Sequence, residues 1–189
     1  MKIDRFVIGP VGTNCYIVRN EDTDECFVTD PAACPPELVG HIRKEGLNVK
    51  AVLLTHGHFD HIMGLDDFLK EFPVPVYAFS EEKPLLESAE LNSSLGMFGR
   101  PYTFSGAEYV SDGQILHIAG FEIRVIHTPG HTAGGCCYYI PAENVLISGD
   151  TLFRASVGRT DLPTGSMGDL VRSVREKLFV LPEETKVYP

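Results

Sequence analysis

The chain has 189 residues, 43% of them hydrophobic and 22% charged, with a formal net charge of −10. That length suits one domain with a sizeable core. No apolar run approaches the ~20 residues that span a bilayer, and the acidic balance argues against broad binding of nucleic-acid phosphates. Residues 1–8 lack a long apolar signal core. The five cysteines, Cys15, Cys26, Cys34, Cys136 and Cys137, are odd in number and contain no CxxC pair. Both features fit reduced thiols and a cytoplasmic protein without a membrane partner.

In chain order, residues 2–8 alternate like a first strand, residues 9–13 turn through Gly9, Pro10 and Gly12, and residues 14–18 form a second strand. The charged stretch 21–24 is a hairpin tip. Residues 26–29 are a third strand running into Asp30-Pro31. A helix covers 35–45, with Leu38, Val39 and Ile42 on one face and Gly46 at its end; His41 is a surface histidine on it. The apolar run 51–54 is a buried strand. Residues 64–72 form a second helix and 74–79 a strand. Ser80 starts another helix, with Glu81 or Glu82 available to its first turn. Residues 92–106 carry Gly96, Gly99 and Pro101 without periodicity, so an irregular loop is expected. Its Met97, Phe98 and Tyr102 either line a substrate mouth or pack beneath the loop. Residues 115–117 and 121–126 pair around Ala119-Gly120, with His117 structural or exposed. Residues 135–140 and 144–148 are strands, and adjacent Cys136 and Cys137 point to opposite faces of the first. A helix over 167–179 has Leu170, Val174 and Leu178 on one side. Residues 185–188 make a last strand. This alternation predicts an α/β fold of layered sheets covered by helices, in one domain over residues 1–189.

Chemistry concentrates at Thr55-His56-Gly57-His58-Phe59-Asp60-His61, just past the strand at 51–54, where three of the chain's seven histidines fall. Imidazoles and carboxylates are ligands for zinc or iron. Crowded in a structural loop, they would repel when protonated and lack partners when buried. His56 and His58 are suited to grip one metal, with Asp60 and His61 over a neighbouring position. Two later turns carry the same chemistry. His127-Thr128-Pro129-Gly130-His131-Thr132 presents His131 at a strand end through a tight Pro-Gly turn. Ser148-Gly149-Asp150-Thr151-Leu152-Phe153 again follows an apolar strand, although a lone Asp there reads by itself as a turn or cap.

Together these three motifs, with Gly12-Thr13-Asn14-Cys15-Tyr16 and Asp30-Pro31, resemble the metallo-β-lactamase-fold hydrolase superfamily over nearly the whole chain. The resemblance implies an αββα sandwich, two mixed sheets flanked by helices, with metals at one edge between the sheets. It implies that His56, His58 and His131 hold one metal, that Asp60 and His61 hold a second, and that Asp150 bridges both. His127 matches a position that is not a ligand and is expected to be packed. The implied cofactors are two divalent metal ions, zinc first, with iron or manganese as alternatives. In the family a further histidine, in a Gly-His-Gly segment, follows a late strand. Here residues 187–189 form its lead-in, so the second site is expected to be incomplete and the weaker of the two.

The run Phe153-Arg154-Ala155-Ser156-Val157-Gly158-Arg159-Thr160-Asp161-Leu162-Pro163 resembles the glyoxalase II (hydroxyacylglutathione hydrolase) branch, in a short form without the C-terminal helical domain. That implies a small-molecule acyl-thioester substrate such as S-lactoylglutathione, hydrolysed by a metal-activated water, with Asp60 and Asp150 orienting ligands and accepting protons transiently. Arg159 either meets a substrate carboxylate or pairs with Asp161 or another acid. A competing reading from another class is a mononuclear iron oxidoreductase resembling persulfide dioxygenase, which would leave Asp60 and His61 idle. The acidic charge disfavours a nuclease of the same superfamily, and the near-complete ligand set disfavours a silent binding fold.

Overall fold

A computed structural model describes all 189 residues. The first sheet contains β1 (Lys2–Ile8), β2 (Thr13–Arg19), β3 (Glu25–Thr29), β4 (Asn48–Leu53), β5 (Val76–Phe79) and β6 (Ala107–Val110), in that spatial order. Pairing is antiparallel from β1 to β3 and parallel from β3 to β6. The second sheet begins with β7 (Ile115–Ile118), β8 (Phe121–His127), β9 (Cys136–Ile140) and β10 (Val145–Ile147), all antiparallel neighbours. A two-stranded ribbon, β11 (Leu152–Phe153) and β12 (Ser156–Val157), follows. Strand β13 (Lys186–Tyr188) then pairs parallel to β10 at the sheet edge.

The helices are α1 (Pro36–Lys44), α2 (Phe59–Ile62), α3 (Leu65–Glu71), α4 (Lys83–Leu86), α5 (Ser94–Phe98) and α6 (Met167–Ser173), the last continued by a wider turn over Val174–Leu178. Because successive strand residues face opposite ways, the inner strands are apolar on both sides and feed two cores each. Tyr16, Val18, Phe27, Ala51 and Leu53 meet Ile123, Val125, Cys136, Tyr138 and Ile147 between the sheets. Cys15, Ile17, Cys26, Val28 and Val52 instead pack outward on Leu38, Ile42, Leu65 and Phe68 of α1 and α3. On the other side, Ile126, Cys137, Tyr139 and Leu146 pack on Val174 and Leu178. Three apolar seams thus separate four layers, giving the expected αββα sandwich with two mixed sheets. Each fully buried large side chain contributes about 1.5–3 kcal/mol. Cys136 and Cys137 fall in different seams, as their adjacency on a strand requires. No helix is long and apolar enough to cross a membrane.

Several local expectations are corrected. Residues 92–106 are not wholly irregular, because Ser94–Phe98 forms one helical turn. Ser93 (φ 67°) and Gly99 (φ 70°) stop it at both ends in the left-handed region, so it is too short to show a period. Strand β6 lies at a sheet edge and buries only Val110, so its alternation is faint. The helix after Ser80 starts as a tight 3₁₀ turn over Ser80–Glu82, and Glu82 is buried rather than serving a helix terminus. His41 is half-buried, its Nε2 3.1 Å from Asp4 and its ring edge-on to Phe6. The hairpin at Ala119-Gly120 is as expected, with φ values of 53° and 77° that suit a type I′ turn.

Candidate metal centre

The strand ends decide where the chemistry sits. Asp30 follows β3, Thr55 to His61 follow β4, His131 lies in the turn after β8, and Asp150 follows β10. All four ends meet at one edge of the sandwich. Cys136 N donates to Thr55 O at 2.9 Å, tying the second sheet to the first at that point.

His56, His58 and His131 converge there, all buried. His131 Nε2 lies 2.9 Å from His58 Nδ1 and 3.1 Å from His56 Nε2. The outward nitrogens of two rings are committed. His131 Nδ1 donates to Arg159 O at 2.8 Å. Thr55 Oγ1 donates to Asp30 Oδ2 at 2.6 Å and so accepts from His56 Nδ1 at 3.2 Å. Neutral imidazole carries one proton, so His56 Nε2 and His131 Nε2 point bare lone pairs at each other. That contact is repulsive unless a cation lies between the rings. Burial first, then the neighbouring imidazoles, pushes the His56 pKa well below the ordinary value, and His58 down to about 3. Burial also lowers His131, against the pull of Asp150. All three shifts favour the neutral ring, the form that binds metal. The donor set fits a divalent cation.

A second group, His56, His61 and Asp150, lies beside the first. His61 Nε2 is 3.5 Å from Asp150 Oδ1 and 3.7 Å from Asp60 Oδ2. Asp150 Oδ2 is 3.5 Å from His131 Nε2. Asp150 thus offers one oxygen to each group, the placement expected of a shared ligand. Asp60 accepts from Thr13 Oγ1 at 3.3 Å. Burial opposes charge on His61, but the Asp30 and Asp150 carboxylates outweigh it and raise the pKa well above the usual value. Burial would raise Asp150, yet His61 and the other rings bring it down to about 2.

Asp30 is a residue the sequence left as a turn. It is 2% exposed and accepts from Thr55 N at 2.8 Å as well as from Thr55 Oγ1. Its Oδ2 lies 3.1 Å from His61 Nδ1, in ion-pair range though off hydrogen-bond alignment. One buried carboxylate therefore orients His56 through Thr55 and His61 directly. The signal was present, since Asp30 follows an apolar strand just as Asp150 does. Glu82, 1% exposed, was also missed. It accepts from Gly57 N at 2.8 Å, Gly134 N at 2.9 Å and the Thr132 hydroxyl. Burial raises its pKa to about 7 against those three donors.

His127 is packed, as expected. Its ring stacks on Phe79 at 4.1 Å and Nε2 donates to Ala133 O at 2.9 Å. Arg159 forms a fork with Asp161, at 2.7 and 2.8 Å. It also lines a cavity of about 190 Å³ with His58, Asp60, His131, Asp150 and Met97. Phe98 stacks on Phe59, 5.9 Å between centroids, at that mouth, whereas Tyr102 packs against the outer seam.

Gly158 supplies a steric test. A Cβ there would stand 1.9 Å from Asp150 O and 3.1 Å from His131 Nδ1. Gly158→Ala is expected to push apart Asp150 and the segment whose Arg159 carbonyl holds His131. Metal affinity should fall about 10–100-fold, measured by chelator competition. Unchanged affinity would show that the segment yields without moving the ligands.

A sequence profile of the Metallo-beta-lactamase superfamily matches residues 8–188. The "Probable metallo-hydrolase YqgX" of Bacillus subtilis (strain 168) is 38% identical over 188 residues, covering 99% of this chain and 88% of that protein. The "Hydroxyacylglutathione hydrolase GloC" of Haemophilus influenzae is 31% identical over 188 residues, covering 97% and 87%. Among solved structures, BLEG-1 B3 metallo-beta-lactamase superposes with a TM-score of 0.92 at 39% identity, covering 98% of this chain and 90% of that one. TTHA1623 in a di-iron-bound form gives 0.86 at 34% identity, with the same coverage. Fold, motif order and relatives agree, and the chain belongs to the metallo-β-lactamase superfamily.

Proposed function

We propose that this chain is a metal-dependent hydrolase that cleaves an acyl-thioester of the hydroxyacylglutathione kind. The observation that carries the hydrolase reading is Asp150, which reaches toward both ligand groups at 3.5 Å, beside an open cavity. His56, His58 and His131 would hold one cation and Asp60 and His61 the other, with Asp150 shared. A divalent metal bound there supplies Lewis acidity toward a carbonyl and lowers the pKa of water. Asp150, with its pKa lowered to about 2, stays ionised and presents one charged oxygen toward each ligand group. Val11, Phe59, Met97 and Leu162 give the cavity apolar walls that hold bulk water off the acyl carbon. A thiolate leaves readily, so the absence of an obvious general acid at the mouth is no obstacle. The thioester assignment draws on the GloC similarity and on the 153–163 run.

The test is thiol release from S-lactoylglutathione by the purified protein, with metal content measured on the same sample. Turnover abolished by a chelator and restored by zinc is the expected result. A metal-loaded protein that opens a β-lactam ring and leaves the thioester intact would move the assignment toward the activity named for BLEG-1. Iron with oxygen uptake on glutathione persulfide, and no thiol release, would move it to the oxidoreductase class.

A further inference from the structure

Glu82 lies outside both ligand groups, yet its contacts go to the two loops that carry the first one. Gly57, whose N–H it accepts at 2.8 Å through Oε2, stands between His56 and His58. Oε1 accepts from the Thr132 hydroxyl and from Gly134 N at 2.9 Å, just after His131. Thr132 and Glu82 are themselves buried. We infer that Glu82 is a positioning residue, a carboxylate clamp that fixes the loop of His56 and His58 to the loop of His131 and so sets the spacing of the first metal triad.

The loops are built to meet it. A Cβ on Gly57 would stand 2.9 Å from Glu82 Oε2, and one on Gly134 would stand 2.4 Å from Glu82 N. Neither glycine is among those with positive φ, so close approach rather than turn geometry calls for glycine at both. All three partners are donors and a carboxylate offers only acceptors. An amide of the same shape would turn an NH₂ group toward donors on one of the two loops. His61 and Asp150, the members of the second group that the first does not share, receive nothing from Glu82, so the clamp acts chiefly on the first site. This inference rests on metal binding by the His56, His58 and His131 triad and is independent of the substrate assigned to it.

The experiment is cobalt(II) titration of the metal-free protein, wild type and Glu82→Gln, followed by visible absorption and chelator competition, with the circular dichroism of each protein as a fold control. The expected result is a folded variant whose first cobalt equivalent binds about 10–100-fold more weakly, with a changed ligand-field band, while the later equivalent keeps its affinity. A folded variant with wild-type affinity and spectrum for the first equivalent overturns the inference, as does equal weakening of both equivalents. Where Glu82→Gln does not fold, Thr132→Val removes one donor and leaves the carboxylate, and an unchanged first equivalent there overturns it equally. Wild-type protein that takes up no cobalt overturns the metal reading itself and the clamp with it.

Discussion

Asp150→Asn is expected to lower thioester turnover by about a thousandfold, roughly 4 kcal/mol of barrier, while the protein remains folded. Asn keeps the shape and removes the charge. In the native chain Asp150 places one oxygen 3.5 Å from His61 and the other 3.5 Å from His131, so its carboxylate spans the two groups. Losing the charge weakens both cation positions at once and removes a fixed negative charge from the cavity. The side chain is 30% exposed and reaches those rings only at this distance, so the fold loses little when the charge goes, about 1 kcal/mol or less. Steady-state kinetics with elemental analysis of the same preparation decide the matter. Retention of more than about a tenth of the turnover, at full metal content, would show that the two halves are not joined through Asp150.

The second large effect concerns pH. Metal titrated into metal-free protein between about pH 6 and pH 8 should bind in two steps with different proton linkage. The His56 pKa lies well below the usual value and that of His58 at about 3, so both are neutral in that window, and burial lowers His131 in the same direction. Protons do not compete there, and the first step should be nearly flat. His61 is the reverse case. Burial disfavours its charge, but Asp30 and Asp150 hold the pKa well above the usual value, so the metal-free ring carries a proton that binding must expel. The second affinity should therefore rise about tenfold per pH unit, with release of one proton. Calorimetry in buffers of different ionisation enthalpy reads the proton count. A flat second step, or a steep first one, would reverse the assignment of charge between the two groups.

Much of the site was legible because its ligands come in short motifs at strand ends. Thr55 to His61 place four candidate ligand side chains within one loop and one helical turn, so local spacing almost suffices. His131 and Asp150 are single residues after apolar strands, and only their order along the chain pointed to the same centre. The residues that align these ligands left weaker traces. Asp30 shared the strand-end signal and still passed for a turn. Glu82 sits beside exposed Glu81 in a polar turn, and nothing in composition or period distinguishes the two. Arg159 was left between two roles, and the structure shows its fork on Asp161 at the rim of the cavity.

The sequence by itself determined the strands and helices with strong periods, the turn at Ala119-Gly120, and the set of side chains able to bind metal. These follow from properties that travel a few residues along the chain: alternation, turn chemistry and ligand type. Tertiary structure alone decided which ring nitrogens face inward, since the Arg159 carbonyl, 28 residues from His131, and Asp30, 25 residues from Thr55, fix the tautomers of His131 and His56. It also decided the division of charge. Burial disfavours a proton on three rings, while on a fourth Asp30 and Asp150 favour one. Burial and the approach of distant carboxylates create that difference, and neither exists until the two sheets have closed on each other.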